Sequence, residues 1–443
     1  MKRLVMAGLL FCASAFSQNT KNLTLEQAVH IGLESNRLFK VSAERVTGAE
    51  AKAQEASTAM LPTLKFEGSY RRLSNVDPFA VTVPFYPEPI ELSPTVVNTY
   101  NLRLGLQQPL FTGFKLSSNA HAAEYLARAA AADNKNDRTD LIVTLTAAYW
   151  GLYQAFEIQR VVHENVQRLE SYQKDTEHLL QSGLATRNDL LKIQVQLGSA
   201  RLSGIDAAND VQVATMNLNS LLGQPLDTEL ALVSLPGGKI EVPASQANAL
   251  VAQALIDRPD IQAMELRTEA SKAGLTAAQG NWWPQVFLSG NYYYNRPNTR
   301  YLPTRDEFKS TWDVGVVVQF DIWNWGATGH QTEQARATLA QTEMLLGQAK
   351  DNASLEVKRQ HLFVQRATEK IAVAKLMTEQ SEENVRSTND KYRHGLATSS
   401  ELLDAEVAVL QARTNYTGAL VEYEIAVAKL KRASGDFTID NAE

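Results

Sequence analysis

The chain has one cysteine, Cys12, in 443 residues. That excludes a disulfide framework, and Phe11 stands before it where a lipoprotein signal wants a small residue, so no lipid anchor is expected either. The 14 prolines and 23 glycines are few for this length and cluster, leaving long stretches free to be helical. No run reaches about 18 apolar residues, which excludes a membrane-spanning helix but not a membrane β-barrel, whose strands show only alternation. Excess basic charge is lacking as well. The net charge of -6 becomes about -8 without Lys2 and Arg3, so nothing suggests a nucleic-acid partner.

Catalytic groupings are also missing. Histidines 30, 121, 163, 178, 330, 361 and 394 show no metal-ligand spacing, and His163-Glu164 opens like a zinc-protease helix only to meet Gln167 where a histidine is needed. No phosphate-binding glycine loop or nucleophile elbow is present. The expectation is a protein without enzyme activity, cofactor or metal.

What is present starts with "MKRLVMAGLLFCASAFSQ", a basic, apolar, then small-residue order that reads as an export signal over residues 1–17, cleaved near Ser17. The 44% hydrophobic content can bury a large core. "SGLATRNDLLKIQ" (182–194) and "HGLATSSELLDAE" (394–406) then repeat one motif at an offset of 212 residues. "QQPLFTGF" (107–114) falls opposite "QFDIWNWG" (319–326), and "SNRLFK" (35–40) pairs with "DRPDIQ" (257–262) at offset 222. The chain is therefore a tandem repeat.

The first unit, 18–222, reads as a helix over 25–60, strands over 62–73 and 99–111, a long helix over 115–182 and another over 186–222. A connection over 223–245 leads to the second unit, 246–435, with a helix over 246–280, strands over 284–296 and 310–323, and helices over 327–394 and 398–434, leaving a tail over 436–443. Each long helix would run roughly 100 Å. Small residues dominate two coiled-coil seams, Ile193 to Leu221 and Ala405 to Ala433, so helices can approach closely.

The strands alternate. Leu64, Phe66 and Tyr70 face one way and Lys65, Glu67 and Arg71 the other; Leu102, Leu104 and Leu106 oppose Arg103 and Gln107. Aromatics mark the strand ends: Phe111, Phe114, Trp282, Trp283, Trp323 and Trp325. Strands of this length suit a tilted crossing of a bilayer. A soluble sandwich with aromatic corners, within a secreted coiled-coil scaffold, is the alternative. Four membrane strands cannot close a barrel alone, since closed barrels need about eight, so several chains would share one.

The leader, the tandem units, "QPLFTGF", "FDIWNWG" and the two G-L-A-T turns together resemble the TolC-like outer membrane efflux protein family. The resemblance covers about 23–435. It implies a mainly α fold with a membrane β-barrel: a homotrimer in which four strands per chain build a 12-stranded barrel, continued by a periplasmic α-helical tunnel with a mid-height equatorial region. The implied function is passive conduction of substrates to the exterior of a Gram-negative cell, from an inner-membrane pump and a periplasmic adaptor, with outer membrane lipid around the barrel. Carried over by position, Gly183, Leu184, Ala185 and Thr186, with Gly395, Leu396, Ala397 and Thr398, would face the adaptor. Tyr392, Glu401 and Asp404 would form the entrance gate, although Ala397 stands where some members place a closing arginine. Thr398 and Glu401 also read as a capping box, so structural capping and gating both stay open. Lys65, Glu67, Arg71, Arg103 and Gln107 would line the barrel lumen.

Overall fold

A computed structural model describes residues 21–93, 95–237 and 246–436. The expected leader with Cys12, positions 238–245 of the connection and the last seven residues lie outside the described residues. The elements in chain order are β1 (Lys21–Leu23), α1 (Leu25–Ser35), α2 (Arg37–Thr58), β2 (Thr63–Arg72), β3 (Phe79–Val81), β4 (Ile90–Ser93), β5 (Asn98–Phe111), α3 (Lys115–Gln181), α4 (Arg187–Leu221), β6 (Leu230–Leu232), α5 (Ala247–Asp257), α6 (Pro259–Gln279), β7 (Gln285–Arg296), β8 (Lys309–Gln319), α7 (Ala327–Arg393) and α8 (Ser399–Ser434). They divide into two compact units, Met1–Val41 with Lys135–Arg258 and Asn352–Glu443, and Ser42–Asn134 with Pro259–Asp351.

Helices dominate the first unit. The seam positions Ile193, Leu197, Ala200, Ala207 and Leu218 of α4 are buried, as are Ala405, Val409, Ala412, Ala419, Tyr423, Ala426, Leu430 and Ala433 of α8. Small side chains let the backbones come close. Here α8 packs on α7 through Val364, Ala367, Ile371 and Ala374. A second core gathers Leu145, Tyr149, Trp150 and Leu152 of α3 with Leu218 and Leu222, and receives Leu23, Ala28 and Val29 from the amino-terminal elements. β1 pairs in parallel with β6. The Tyr149 hydroxyl fixes both ends of this attachment, donating to the Leu23 carbonyl at 3.0 Å and accepting from the Ser234 amide at 3.0 Å.

The helices expected over 25–60 and 246–280 are each two helices. The breaks fall at Asn36 and Arg258, both in extended backbone. Asn36 caps α2, its Oδ1 accepting from the Leu38 and Phe39 amides at 3.0 and 3.1 Å. Arg258 precedes Pro259, which disfavours helical backbone at that position. The guanidinium of Arg258, 4% exposed, pairs with Glu356 at 2.9 Å. Glu356 also holds Arg432 at 2.7 Å.

The second unit contains a four-stranded antiparallel sheet in the order β2-β5-β7-β8. Its register keeps every odd-numbered strand residue on one face and every even-numbered one on the other, apart from a shift at Pro109/Phe111. Phe66, Trp312, Val314 and Val318, all on the even face, are 63 to 70% exposed. Among the described residues no element packs a core against that face: Leu64, Leu104, Leu106, Tyr292 and Val316 are exposed beside them. β8 stops at Gln319, short of the expected end at 323, because Gln319 pairs with Gln285 and the next partner position is Pro284, which has no N–H to donate. Between β2 and β5, a small hairpin of β3 and β4 was not apparent from alternation. Both strand-to-helix junctions turn through two consecutive left-handed residues, Gly113-Phe114 and Trp325-Gly326.

Candidate functional site

The two G-L-A-T motifs sit on helical hairpins of identical construction. Gly183 and Gly395 close α3 and α7 with φ of 74° and 69°, a left-handed conformation that costs glycine little. In each turn the leucine amide reaches back five residues, from Leu184 to the Leu179 carbonyl and from Leu396 to the Lys391 carbonyl, both at 2.8 Å. Thr186 and Thr398 then cap α4 and α8 with reciprocal capping boxes to Asp189 and Glu401. Thr398 N–H donates to Glu401 Oε2 at 2.7 Å. Ala185 and Ala397 are half-buried, whereas Leu184 and Leu396 remain 71 and 78% exposed. A leucine usually packs back on its helix in such a motif; these two do not.

The hairpins are fastened to each other by side chains from all four helices. Ser399 Oγ donates to Asp189 Oδ1 at 2.6 Å, and Lys192 Nζ donates to Ser400 Oγ at 2.9 Å. Arg393 pairs with Asp175 at 3.1 Å. Tyr392 is buried and shares a 2.6 Å hydrogen bond with Thr176. Burial pushes the Tyr392 phenol up, although its bond with Thr176 acts the other way. One turn deeper lies Glu406, 1% exposed. It accepts from Asn165 Nδ2 at 3.3 Å, from Arg168 Nε at 3.0 and 3.1 Å, and from the Tyr172 hydroxyl at 2.7 Å. Burial, then the bond to Glu406, raises the Tyr172 phenol well above its usual range.

Glu401 and Asp404 share an exposed face of α8, three residues apart. The Glu401 carboxyl is held below its ordinary range, chiefly by the Thr398 amide and then by the Thr398 hydroxyl. Asp404 has no hydrogen bond or ion pair among the described residues. Tyr392 is not brought to these acids; its hydroxyl meets Thr176 instead. The Glu406 cluster was not expected from the sequence. Its only trace is that Glu406 stands where the first copy of the motif has Gln194.

Asp189 carries a pH consequence. Hydrogen bonds from Ser399 and then Thr186 hold its carboxyl below the ordinary value. A depressed folded value stabilises the hairpin pair above the unfolded value of about 4 and is lost as pH falls through the folded one. Amide protection in the first turns of α4 and α8, corrected for the intrinsic exchange rate at each pH, is expected to fall below about pH 4. Asp189→Asn should flatten that acid dependence, measured by hydrogen exchange between neutral and acid pH.

The residues expected at the barrel lumen share the odd face of the sheet. Glu67 pairs with Arg103 at 3.2 Å. Arg103 Nε and Nη2 donate to Asn291 Oδ1 at 2.9 and 2.8 Å, and Asn291 Nδ2 donates to Asp313 Oδ1 at 2.8 Å. This ladder crosses all four strands. Lys65, Arg71 and Gln107 lie on the same face, exposed.

The outer membrane efflux protein family model matches residues 29–224 and again 250–436. The chain belongs to the outer membrane efflux protein family. It is 26% identical to the fusaric acid resistance protein FusA of Burkholderia cepacia, over 66% of its own chain but only 54% of FusA. It is 21% identical to the alkaline protease secretion protein AprF of Pseudomonas aeruginosa, over 95% of this chain and 86% of that one. Its fold superposes on the outer-membrane channel OprN with a TM-score of 0.78 at 22% identity, covering 93% of this chain and 89% of OprN. Family membership places the efflux protein in the outer membrane and sets aside a soluble secreted scaffold. Among the described residues, no helix is long and apolar enough to cross a membrane, and no three His, Cys, Asp or Glu side chains could hold a metal ion.

Proposed function

We propose that three copies of this chain share a 12-stranded barrel and a helical tunnel, forming the passive outer membrane channel of a tripartite efflux or secretion system. The observation that carries this reading is the sheet: one exposed apolar face, one polar face and two open edges, β2 and β8. An apolar face without a covering layer suits lipid, and open edges in hydrocarbon require further strands. The hairpins supply the opposite function. Leu184 and Leu396, with Gly183, Ala185, Thr186, Gly395, Ala397 and Thr398, form the surface for a periplasmic adaptor that links the channel to an inner-membrane pump.

Glu401 and Asp404 face the tunnel entrance in this reading. Three copies present six carboxylates there, a ring of the kind that binds and passes cations. Tyr392 contributes from behind, holding α7 to α3 through Thr176. Release of such seams by adaptor and pump opens the tip. Cell fractionation and planar-bilayer recording test the whole: an outer membrane trimer with discrete conductance is expected, and a soluble, non-conducting monomer overturns it. Divalent cations should block the wild-type current, and Glu401→Ala with Asp404→Ala should weaken that block; unchanged block removes these acids from the gate.

A further inference from the structure

The odd face of the sheet is not neutral. Its charged residues are Lys65, Glu67, Arg71, Arg103, Lys309 and Asp313, four cations against two carboxylates. Both carboxylates are already engaged. Glu67 holds Arg103, and Asp313 accepts from Asn291 and pairs with Arg300 of the β7–β8 loop at 3.4 Å. Lys309 is paired too, with Glu307 at 3.3 Å. Lys65 and Arg71 have no carboxylate partner among the described residues, and both are exposed on β2. The even face carries charged residues only at the strand ends, Arg72 and Arg296.

We propose that the sheet's polar face makes the barrel an anion-favouring passage, with Lys65 and Arg71 as the residues that set the preference. This deepens the channel reading above and rests on it, since the odd face must line the lumen. Three copies would bring six unpaired cations into one passage. Field from a charged ring in a narrow, low-dielectric wall raises the local concentration of counter-ions. The carboxylates do not cancel it, because each is spent within the ladder. The entrance acids Glu401 and Asp404 carry the opposite sign and are separated from β8 along the chain by the 67 residues of α7.

The test is the reversal potential of purified full-length mature trimers in planar bilayers under a KCl gradient. The acid ring is first neutralised by Glu401→Gln with Asp404→Asn. In that background the chloride-to-potassium permeability ratio is expected to exceed one, and adding Lys65→Gln with Arg71→Gln should lower it by roughly twofold or more. Lys65→Gln alone and Arg71→Gln alone should each give part of the fall. A ratio below one in the neutralised background, or a ratio unmoved by the Lys65 and Arg71 changes, overturns the proposal. A wild-type trimer that carries no current at all overturns the channel reading and this preference with it.

Discussion

Truncating both tip leucines, Leu184→Ala with Leu396→Ala, is expected to abolish efflux in cells while leaving the outer membrane trimer and its bilayer conductance intact. The two side chains are 71 and 78% exposed and contact no core, so their loss costs the fold little, within about 0.5 kcal/mol each. The turns themselves depend on the glycine conformation and the threonine caps, which the variant keeps. An exposed leucine seated in a partner's pocket is a different matter: a hot-spot side chain is worth about 2 kcal/mol, or roughly thirtyfold in affinity. In the proposed trimer six such leucines would act together, so avidity would magnify the loss. The measurement is substrate susceptibility in cells, set beside adaptor capture by the purified trimer. Retained efflux with normal adaptor capture removes the leucines from the docking surface.

The second large effect is expected at Glu406. Glu406→Ala leaves the Arg168 guanidinium in the hairpin seam without its carboxylate, and Arg168 Nη2 already lacks a hydrogen-bond partner there. Removing one member of a buried pair costs about 3–5 kcal/mol, chiefly through the stranded charge. Tyr172 and Asn165 lose their acceptor as well. Faster amide exchange across Leu169, Ile193 and Leu402 is expected, together with a larger resting conductance as the hairpins part. Glu406→Leu with Arg168→Met should recover part of the stability, because an apolar pair avoids burying a lone charge, while the buried Tyr172 hydroxyl and Asn165 amide stay without an acceptor. Exchange rates equal to wild type in Glu406→Ala would show that the cluster does not hold the hairpins.

Much of this architecture was legible in the chain, and the reasons are physical. The strands showed themselves because an apolar residue at every second position leaves one face for lipid and the other for water, and Lys65, Glu67, Arg71, Arg103 and Gln107 do share a face. The α4 and α8 seams showed themselves through small residues at coiled-coil spacing. The breaks at Asn36 and Arg258 were missed, and 25–60 and 246–280 were each expected as one helix, although "SNRLFK" and "DRPDIQ" align position for position and the second contains a proline that disfavours helix before it. The short pairs β1–β6 and β3–β4 left no such trace. Three or four residues carry no periodicity, and the first pair joins segments more than 200 residues apart. Glu406 was hidden for a related reason: whether a glutamate beside a coiled-coil seam faces water or an arginine depends on α3, which approaches α8 only in the fold.

The open edges of the sheet bear on how the protein reaches its working state. β2 and β8 each offer a row of backbone N–H and C=O groups with no strand beside them in a single chain. In hydrocarbon each unmet group costs several kcal/mol. A lone subunit therefore has no inexpensive way to enter the bilayer and wait for its siblings. In the proposed trimer, insertion and assembly would then happen as one event, after a delivery stage in which something other than lipid shields the greasy face. Once joined, subunits should not exchange between trimers, since departure would reopen both edges at once. Cells making wild-type and defective chains together would then hold permanently mixed channels, with any impaired copy locked in for the lifetime of its channel.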